Sequence, residues 1–257
     1  SVRWVFQTTH HDLWDYDVPA QPTLVDLPNG IPALIQPTKR GQIFVLDRRT
    51  GRPVFPVEER AVPQGAVPGE RLSPTQPYSA LPAFGGPRPS EKGMWGLTPI
   101  DQAMCRIRFR AARFDGDMTP LGTDRPTLTW PGYLGGIDWD GVSVDKRRGL
   151  LIVNNNQVAN YNRLIPRSEA DRLGIKPMTA AHMSDVGGPV AQKGVPYAAH
   201  IMPFLSPLAI PCQQPPYGRI NALDLRTGKM VWSRRFGTSR DSGPMALPTF
   251  LPIPMGV

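Results

Sequence analysis

Ala222-Leu223-Asp224-Leu225-Arg226-Thr227-Gly228-Lys229-Met230-Val231-Trp232 reads as a strand, a tight turn and a second strand. Asp224 and Thr227-Gly228 carry the turn chemistry, and Trp232 is a large apolar plug. The unit returns in degenerate form as Phe44-Val45-Leu46-Asp47-Arg48-Arg49-Thr50-Gly51-Arg52-Pro53-Val54-Phe55, with Phe55 in place of the tryptophan. Val2-Arg3-Trp4 reads as the tail of a third copy, after which Phe6-Gln7-Thr8 parallels Phe236-Gly237-Thr238. Repetition of a strand–turn–strand unit is the signature of a radial or solenoid array.

Two blades follow from that frame. The first, at about 21–57, has strand A at Gln21–Leu27, B at Ile31–Pro37, C at Gln42–Asp47 and D at Arg52–Val57. The second, at about 141–234, has A at Gly141–Asp145, B at Leu150–Asn154, C at Gly218–Leu225 and D at Lys229–Arg234. One long insertion runs from Glu58 to Leu134 between the blades, and another spans 155–217 between B and C of the second blade. Long insertions on a rigid scaffold are where binding surfaces sit. In an antiparallel meander the D-to-A and B-to-C connections share one rim. Asp12 lies in a D-to-A connection, Lys39 in a B-to-C turn, and Asn154 closes a B strand. Strand parity therefore places all three on the same rim, together with both insertions.

The composition agrees with an all-β chain. It has 31 Pro and 25 Gly in 257 residues, and internal prolines break helices. Apolar residues make up 40% and gather in strand-sized runs, which argues against disorder. The formal charge is +8, but the basic residues are dispersed and no RNA-binding signature occurs, so nucleic acid is not an expected partner. Val195 to Pro211, the most apolar stretch, is interrupted by prolines and His200 and does not read as a membrane span. Cys105 and Cys212 are too few for a metal cluster. They read as two buried free thiols, with one disulfide as the alternative in an oxidising compartment. The first residue is Ser1 and Pro248 to Val257 is Pro-rich, so the chain is expected to be a piece of a longer protein.

The Asp224–Trp232 unit resembles the tryptophan-docking motif of quinoprotein propellers. The run His10-His11-Asp12-Leu13-Trp14-Asp15-Tyr16 and the turn Pro37-Thr38-Lys39-Arg40-Gly41 resemble the active site of pyrroloquinoline quinone (PQQ) dehydrogenases, closest to the membrane-bound glucose dehydrogenase group. Val62-Pro63-Gln64-Gly65-Ala66, Ser73-Pro74-Thr75-Gln76-Pro77, Met94-Trp95-Gly96, Gly194-Val195-Pro196-Tyr197 and Pro203-Phe204-Leu205-Ser206-Pro207 extend the likeness in order along the chain. The resemblance implies an eight-bladed quinoprotein β-propeller in the full protein, of which this chain covers about two blades plus long rim insertions.

The same resemblance implies Asp12 as general base beside a bound Ca²⁺ or Mg²⁺, with Lys39 contacting PQQ near its reactive carbonyl. It implies an asparagine contact at Asn154. There the family has Asn-Pro and this chain has Asn154-Asn155-Asn156, so the choice among the three stays open. On the residues alone, Asp12 reads equally as a loop-capping carboxylate and Lys39 as a solvated charge. His10 and His11 point to opposite sides of an extended chain, which disfavours a shared metal ion. Asp15 and Asp17 read as hydrogen-bonding or capping residues. The implied activity is oxidation of D-glucose to the 1,5-lactone with ubiquinone as acceptor. The implied location is the periplasmic face of the bacterial inner membrane, with attachment through an N-terminal domain absent from this chain. Quinate, shikimate or polyol oxidation is the alternative, and a non-catalytic propeller scaffold is the alternative of a different class.

Overall fold

The computed structural model describes residues 1–132, 135–178 and 189–240, with 247, 248 and 250. Leu134, the expected end of the first insertion, and most of the Pro-rich run after Pro248 lie outside them. The first blade is an antiparallel meander of β1 (Thr23–Asp26), β2 (Pro32–Pro37) and β3 (Ile43–Asp47). Its expected fourth strand at Arg52–Val57 is reduced to a bridge between Leu46 and Pro53. Asp47 N–H still donates to Arg52 O at 2.8 Å and Val54 N–H to Val45 O at 2.7 Å. Pro53 and Pro56 have no N–H to continue the ladder, so pairing stops there. From Val57 the chain turns instead into β4 (Val57–Ala61), which pairs with β5 (Thr75–Ser79).

A 3₁₀ turn at Glu91–Gly93 and α1 (Pro99–Ala111) follow, then β6 (Thr127–Thr129). Thr98 caps α1 by accepting the Asp101 amide at 3.1 Å, and Pro99 occupies the first turn, where its missing N–H costs nothing. The second blade is complete. β7 (Val142–Asp145) and β8 (Leu150–Asn156) lie beside β12 (Gly218–Asp224) and β13 (Met230–Arg235), in the expected order β7-β8-β12-β13. Between β8 and β12 come β9 (Asn160–Pro166), α2 (Arg167–Arg172), β10 (Pro189–Ala191) and β11 (Tyr197–His200).

One turn design recurs three times. Asp47, Asp145 and Asp224 each accept, on the backbone carbonyl, the amide of a glycine four residues on, at 2.7 to 2.8 Å. Those glycines, Gly51, Gly149 and Gly228, all have φ near +70°, a region open to glycine at little cost. The missing side chains also serve docking between neighbouring repeat units. A Cβ on Gly51 would lie 2.6 Å from the Trp4 ring, whose Nε1 donates to Arg48 O at 3.0 Å. A Cβ on Gly228 would lie 3.0 Å from the Phe55 ring. Trp4 and Phe55, the plugs of two successive copies, thus seat on the turns of the next two.

The two blade sheets enclose one core. Ala33, Ile35, Ile43 and Val45 from the first meet Leu151, Val153 and Leu223 from the second. The alternating burial of β8 shows why: its odd-numbered residues face this core. Each leucine, isoleucine or valine among them contributes about 1.5–3 kcal/mol on burial. Thr23 Oγ1 adds a direct link, donating to Val142 O at 3.2 Å.

The insertions are more ordered than loops. β6 from the first pairs with β9 from the second, giving a four-stranded sheet of order β10-β11-β9-β6. Cys105 on α1 and Cys212 are joined in a disulfide, with Cα atoms 5.4 Å apart, so the free-thiol reading is overturned. Helical phase turns Cys105 inward, and both cysteines are fully buried against Met94, Leu128 and Phe204. The crosslink constrains the unfolded chain by an amount of order 2–4 kcal/mol. The two insertions together form one canopy. No helix among the described residues is long and apolar enough to cross a membrane.

Candidate active site

The run from Thr9 to Asp17 has no regular secondary structure, so other groups must hold its backbone. Gln76, fully buried on β5, holds it at two points. Its Nε2 donates to His10 O at 2.7 Å, and its Oε1 accepts the His10 amide at 2.8 Å. The His10 ring lies 2.9 Å from both Gln7 Oε1 and Glu59 Oε1. Further along, Trp14 and Tyr16 are buried, with Trp14 Nε1 donating to Thr119 O at 2.7 Å and Tyr16 Oη to Pro131 O at 2.6 Å. Burying residues 14 and 16 turns residues 15 and 17 outward. The run is also strained: His11 and Asp15 adopt φ of 43° and 64°. Non-glycine residues in this left-handed region are uncommon and gather at functional sites.

Lys39 sits in the turn between β2 and β3. Gly41 closes the turn by donating to Thr38 O at 2.9 Å, and the Lys39 carbonyl accepts the Gly136 amide at 2.7 Å. Only glycine fits at this crossing, because a Cβ on Gly136 would lie 2.5 Å from Gly41 Cα. Arg40 is buried beside it, donating to Thr8 O and Pro77 O and lying 4.7 Å above the Tyr78 ring. Arg40 is therefore structural, and Lys39 presents its ammonium to the rim.

The side chain of Lys39 is only 9% exposed, and its Nζ lies 2.6 Å from Asp17 Oδ1 and 3.2 Å from Asp15 Oδ2. The carboxylates are 65% and 55% exposed for Asp15 and Asp17 respectively, so the group opens to the surface. Burial pulls the Lys39 pKa down, but the hydrogen bonds to Asp17 and Asp15 and their charges outweigh it and leave it raised. Behind them stands Asp138, whose carboxyl is pushed up by desolvation and partly relieved by the charge of Lys39. Its buried Oδ1 has no hydrogen-bond partner among the described residues. Asp140 continues the row and accepts Asn154 Nδ2 at 3.3 Å.

The three residues singled out from the sequence have different fates. Lys39 anchors the group. Asn154 reaches Asp140, whose charge acts on Asp138, on the open face of β8. Asn155 is committed to the interior, its Nδ2 donating to Phe84 O and its Oδ1 accepting Asn221 Nδ2 at 2.8 Å. Asp12 does not pair with Lys39. Its Oδ1 accepts the Trp14 amide at 2.9 Å, and the Tyr16 amide also donates to the carboxylate. Desolvation is the largest influence on its pKa and, with the charges of Asp15 and Asp17, outweighs those amides and raises it. Asp15 and Asp17, expected only as hydrogen-bonding or capping residues, are the partners of Lys39. The signal for them was the alternation Trp14-Asp15-Tyr16-Asp17, two large aromatics inward and two carboxylates outward.

The site is compatible with a hard cation and, with that cation in place, an anionic ligand. Lys39 with Asp15 and Asp17 carries a net negative charge, so carboxylates of a ligand would be held by the ammonium together with the cation. Asp15 and Asp17 supply oxygen donors of the kind Ca²⁺ and Mg²⁺ take. Among the described residues, no group of three or more His, Cys, Asp or Glu is placed to hold a metal, so these two could form only part of a ligand set.

Fold and site together define part of a β-propeller with an open ammonium–carboxylate group on one rim, beside a disulfide-linked canopy. The chain belongs to the family described as PQQ, the β-propeller domain of glucose/ethanol/alcohol dehydrogenases, which it matches over residues 1–257. It is 47% identical over 268 residues to the glycerol dehydrogenase large subunit of Gluconobacter thailandicus, covering 100% of this chain and 36% of that protein. It is 44% identical over 247 residues to the quinoprotein glucose dehydrogenase of Escherichia coli (strain K12), covering 95% and 31%. A probable quinate dehydrogenase (quinone) of Xanthomonas campestris pv. juglandis is 42% identical over 263 residues, covering 100% and 33%. The chain thus spans about a third of the length of these relatives.

Proposed function

We propose that this chain supplies one wall of the active site of a PQQ-dependent dehydrogenase that oxidises D-glucose at C1 to the 1,5-lactone and passes the electrons to ubiquinone. The proposed setting is the periplasmic face of the bacterial inner membrane. The observation that carries the reading is the ion-paired group of Lys39, Asp15 and Asp17 on the turn-bearing rim. When bound, PQQ supplies the hydride acceptor, and Ca²⁺ or Mg²⁺ supplies Lewis-acid polarisation.

The chain's own residues have three tasks. Lys39 donates hydrogen bonds to the anionic cofactor, and the short contact to Asp17 holds its ammonium in place. Asp12, whose carboxyl pKa is raised by desolvation, takes the proton from the substrate hydroxyl at its carboxylate, with Oδ1 oriented by the Trp14 amide. Asp12 would also contact the metal ion, to which Asp15 and Asp17 would offer further oxygens. Asn154 would meet the cofactor from the β8 side.

A second reading, polyol oxidation, is favoured by the glycerol dehydrogenase relatives at 47% identity over this whole chain. Purified full-length protein loaded with PQQ and Ca²⁺ or Mg²⁺ should reduce an artificial dye with glucose. A higher kcat/KM with glycerol or quinate would replace the substrate. No dye reduction with any of the three would sink the enzymatic reading in favour of a non-catalytic scaffold.

A further inference from the structure

One face of the canopy is apolar and largely exposed among the described residues. On α1, Ile100, Met104 and Ile107 recur at helical spacing, and Leu97 extends the stripe just before the helix. They are 79%, 39%, 59% and 52% exposed. The helix cannot roll to hide them. Cys105 is tied to Cys212, Asp101 accepts the Leu97 amide at 3.0 Å, and Arg108 donates to Leu205 O at 2.7 Å from the inward side.

The edge of the stripe carries excess positive charge. Arg106 and Arg110 share the single carboxylate of Glu91, at 2.7 and 2.8 Å, and Lys92 follows it. Asp101 is buried and offers no compensating charge outside. Leu24 and Val231 are exposed too, but they lie on blade strands, where neighbouring blades pack in a radial array. The α1 stripe lies outside the blades, on the canopy whose Thr119 and Pro131 carbonyls hold the loop that carries Asp15 and Asp17. An amphipathic helix with a cationic edge has the chemistry of an anionic bilayer surface.

We propose that α1 seats the canopy on an anionic membrane surface and so brings the Lys39 rim towards a lipid-dissolved quinone. This rests on the quinone-linked oxidation proposed above, which requires the site to approach the lipid phase.

The test uses full-length protein loaded with PQQ and Ca²⁺ in three settings: detergent, phosphatidylcholine nanodiscs, and nanodiscs containing phosphatidylglycerol. Hydroxyl-radical oxidation of Met104, read by mass spectrometry, should fall severalfold only in the phosphatidylglycerol discs. An Ile100→Ser/Ile107→Ser variant should keep dye reduction while losing most ubiquinone reduction in those discs. Equal protection of Met104 in all three settings would mean that protein covers the stripe, another part of the chain or a second subunit, and would overturn the proposal. Equal reactivity in all three, or unchanged ubiquinone reduction in the variant, would also overturn it. The Met104 measurement needs no turnover, so an inactive wild type would defeat the functional reading while leaving the docking result to stand or fall alone.

Discussion

Four aspartates in this chain share one turn geometry, and two face a lysine instead. Asp12, Asp47, Asp145 and Asp224 each accept the backbone amide two residues on, from Trp14, Arg49, Arg147 and Arg226, at 2.6 to 3.0 Å. Each therefore shapes a local turn. Asp15 and Asp17 instead face Lys39 across a gap in sequence. The difference teaches that a turn and a site are not alternatives for a carboxylate. The turn amide takes only one of its oxygens, and desolvation raises the Asp12 carboxyl's pKa where arginines lower those of Asp47 and Asp145.

The widest separation should come from catalysis. Asp12→Asn removes the proposed proton acceptor while keeping an oxygen for the Trp14 amide, and is expected to lower kcat by about 10²–10⁴-fold, the usual contribution of a general base. Asp15→Asn should cost less, because its carboxylate serves the Lys39 ion pair. Steady-state dye reduction by both purified variants measures this. A larger loss for Asp15→Asn would break the comparison and move the base to Asp15.

Much of the framework was legible because turns are written locally. Asp224, Thr227 and Gly228 sit within one window, and the same pattern at Asp47 and Gly51 gives the period. The complete second blade follows from that signal. The first blade's missing strand was also written, in Pro53 and Pro56, but the repeat pattern outweighed it. The canopy was not legible, since the pairing of β6 with β9 and of Cys105 with Cys212 joins insertions separated by a whole strand pair. The site was half legible. Lys39 was marked by the resemblance of its turn, and strand parity put it on the rim. Asp15 and Asp17 required knowing that Trp14 and Tyr16 are buried, and Asp138 and Asp140 approach Lys39 only through the Gly41–Gly136 crossing.

The framework half can be tested at its glycines. Gly51→Ala places a methyl in a left-handed backbone, a strain of about 1–2 kcal/mol, and drives it against an indole held by Arg48 O. Gly30 has a similar φ of 80° but open space around it, so Gly30→Ala should carry the strain alone. Thermal melts should therefore rank Gly51→Ala below Gly30→Ala, with a change in Trp4 fluorescence only in the former. Equal melting points would mean that Trp4 does not dock on this turn.

The smallest effect separates the four turn aspartates from one another, through the sign of a pH slope. Arg49 pulls the Asp47 carboxyl down to about 2 through its side-chain and backbone hydrogen bonds, from an ordinary 3.8. Between those values the unfolded chain binds more protons, so Asp47 adds stability that is complete above about pH 4 and lost as pH falls towards 2. Asp12 is moved the other way by desolvation. Its unfolded form ionises first, so stability falls as pH rises through 3.8 towards the raised value. In melts from pH 2 to 6, the deficit of Asp47→Asn relative to wild type should grow with pH, while that of Asp12→Asn should shrink. Parallel slopes would show that Asp12 is an ordinary solvated turn residue, and would remove the desolvation that sets it apart from Asp47.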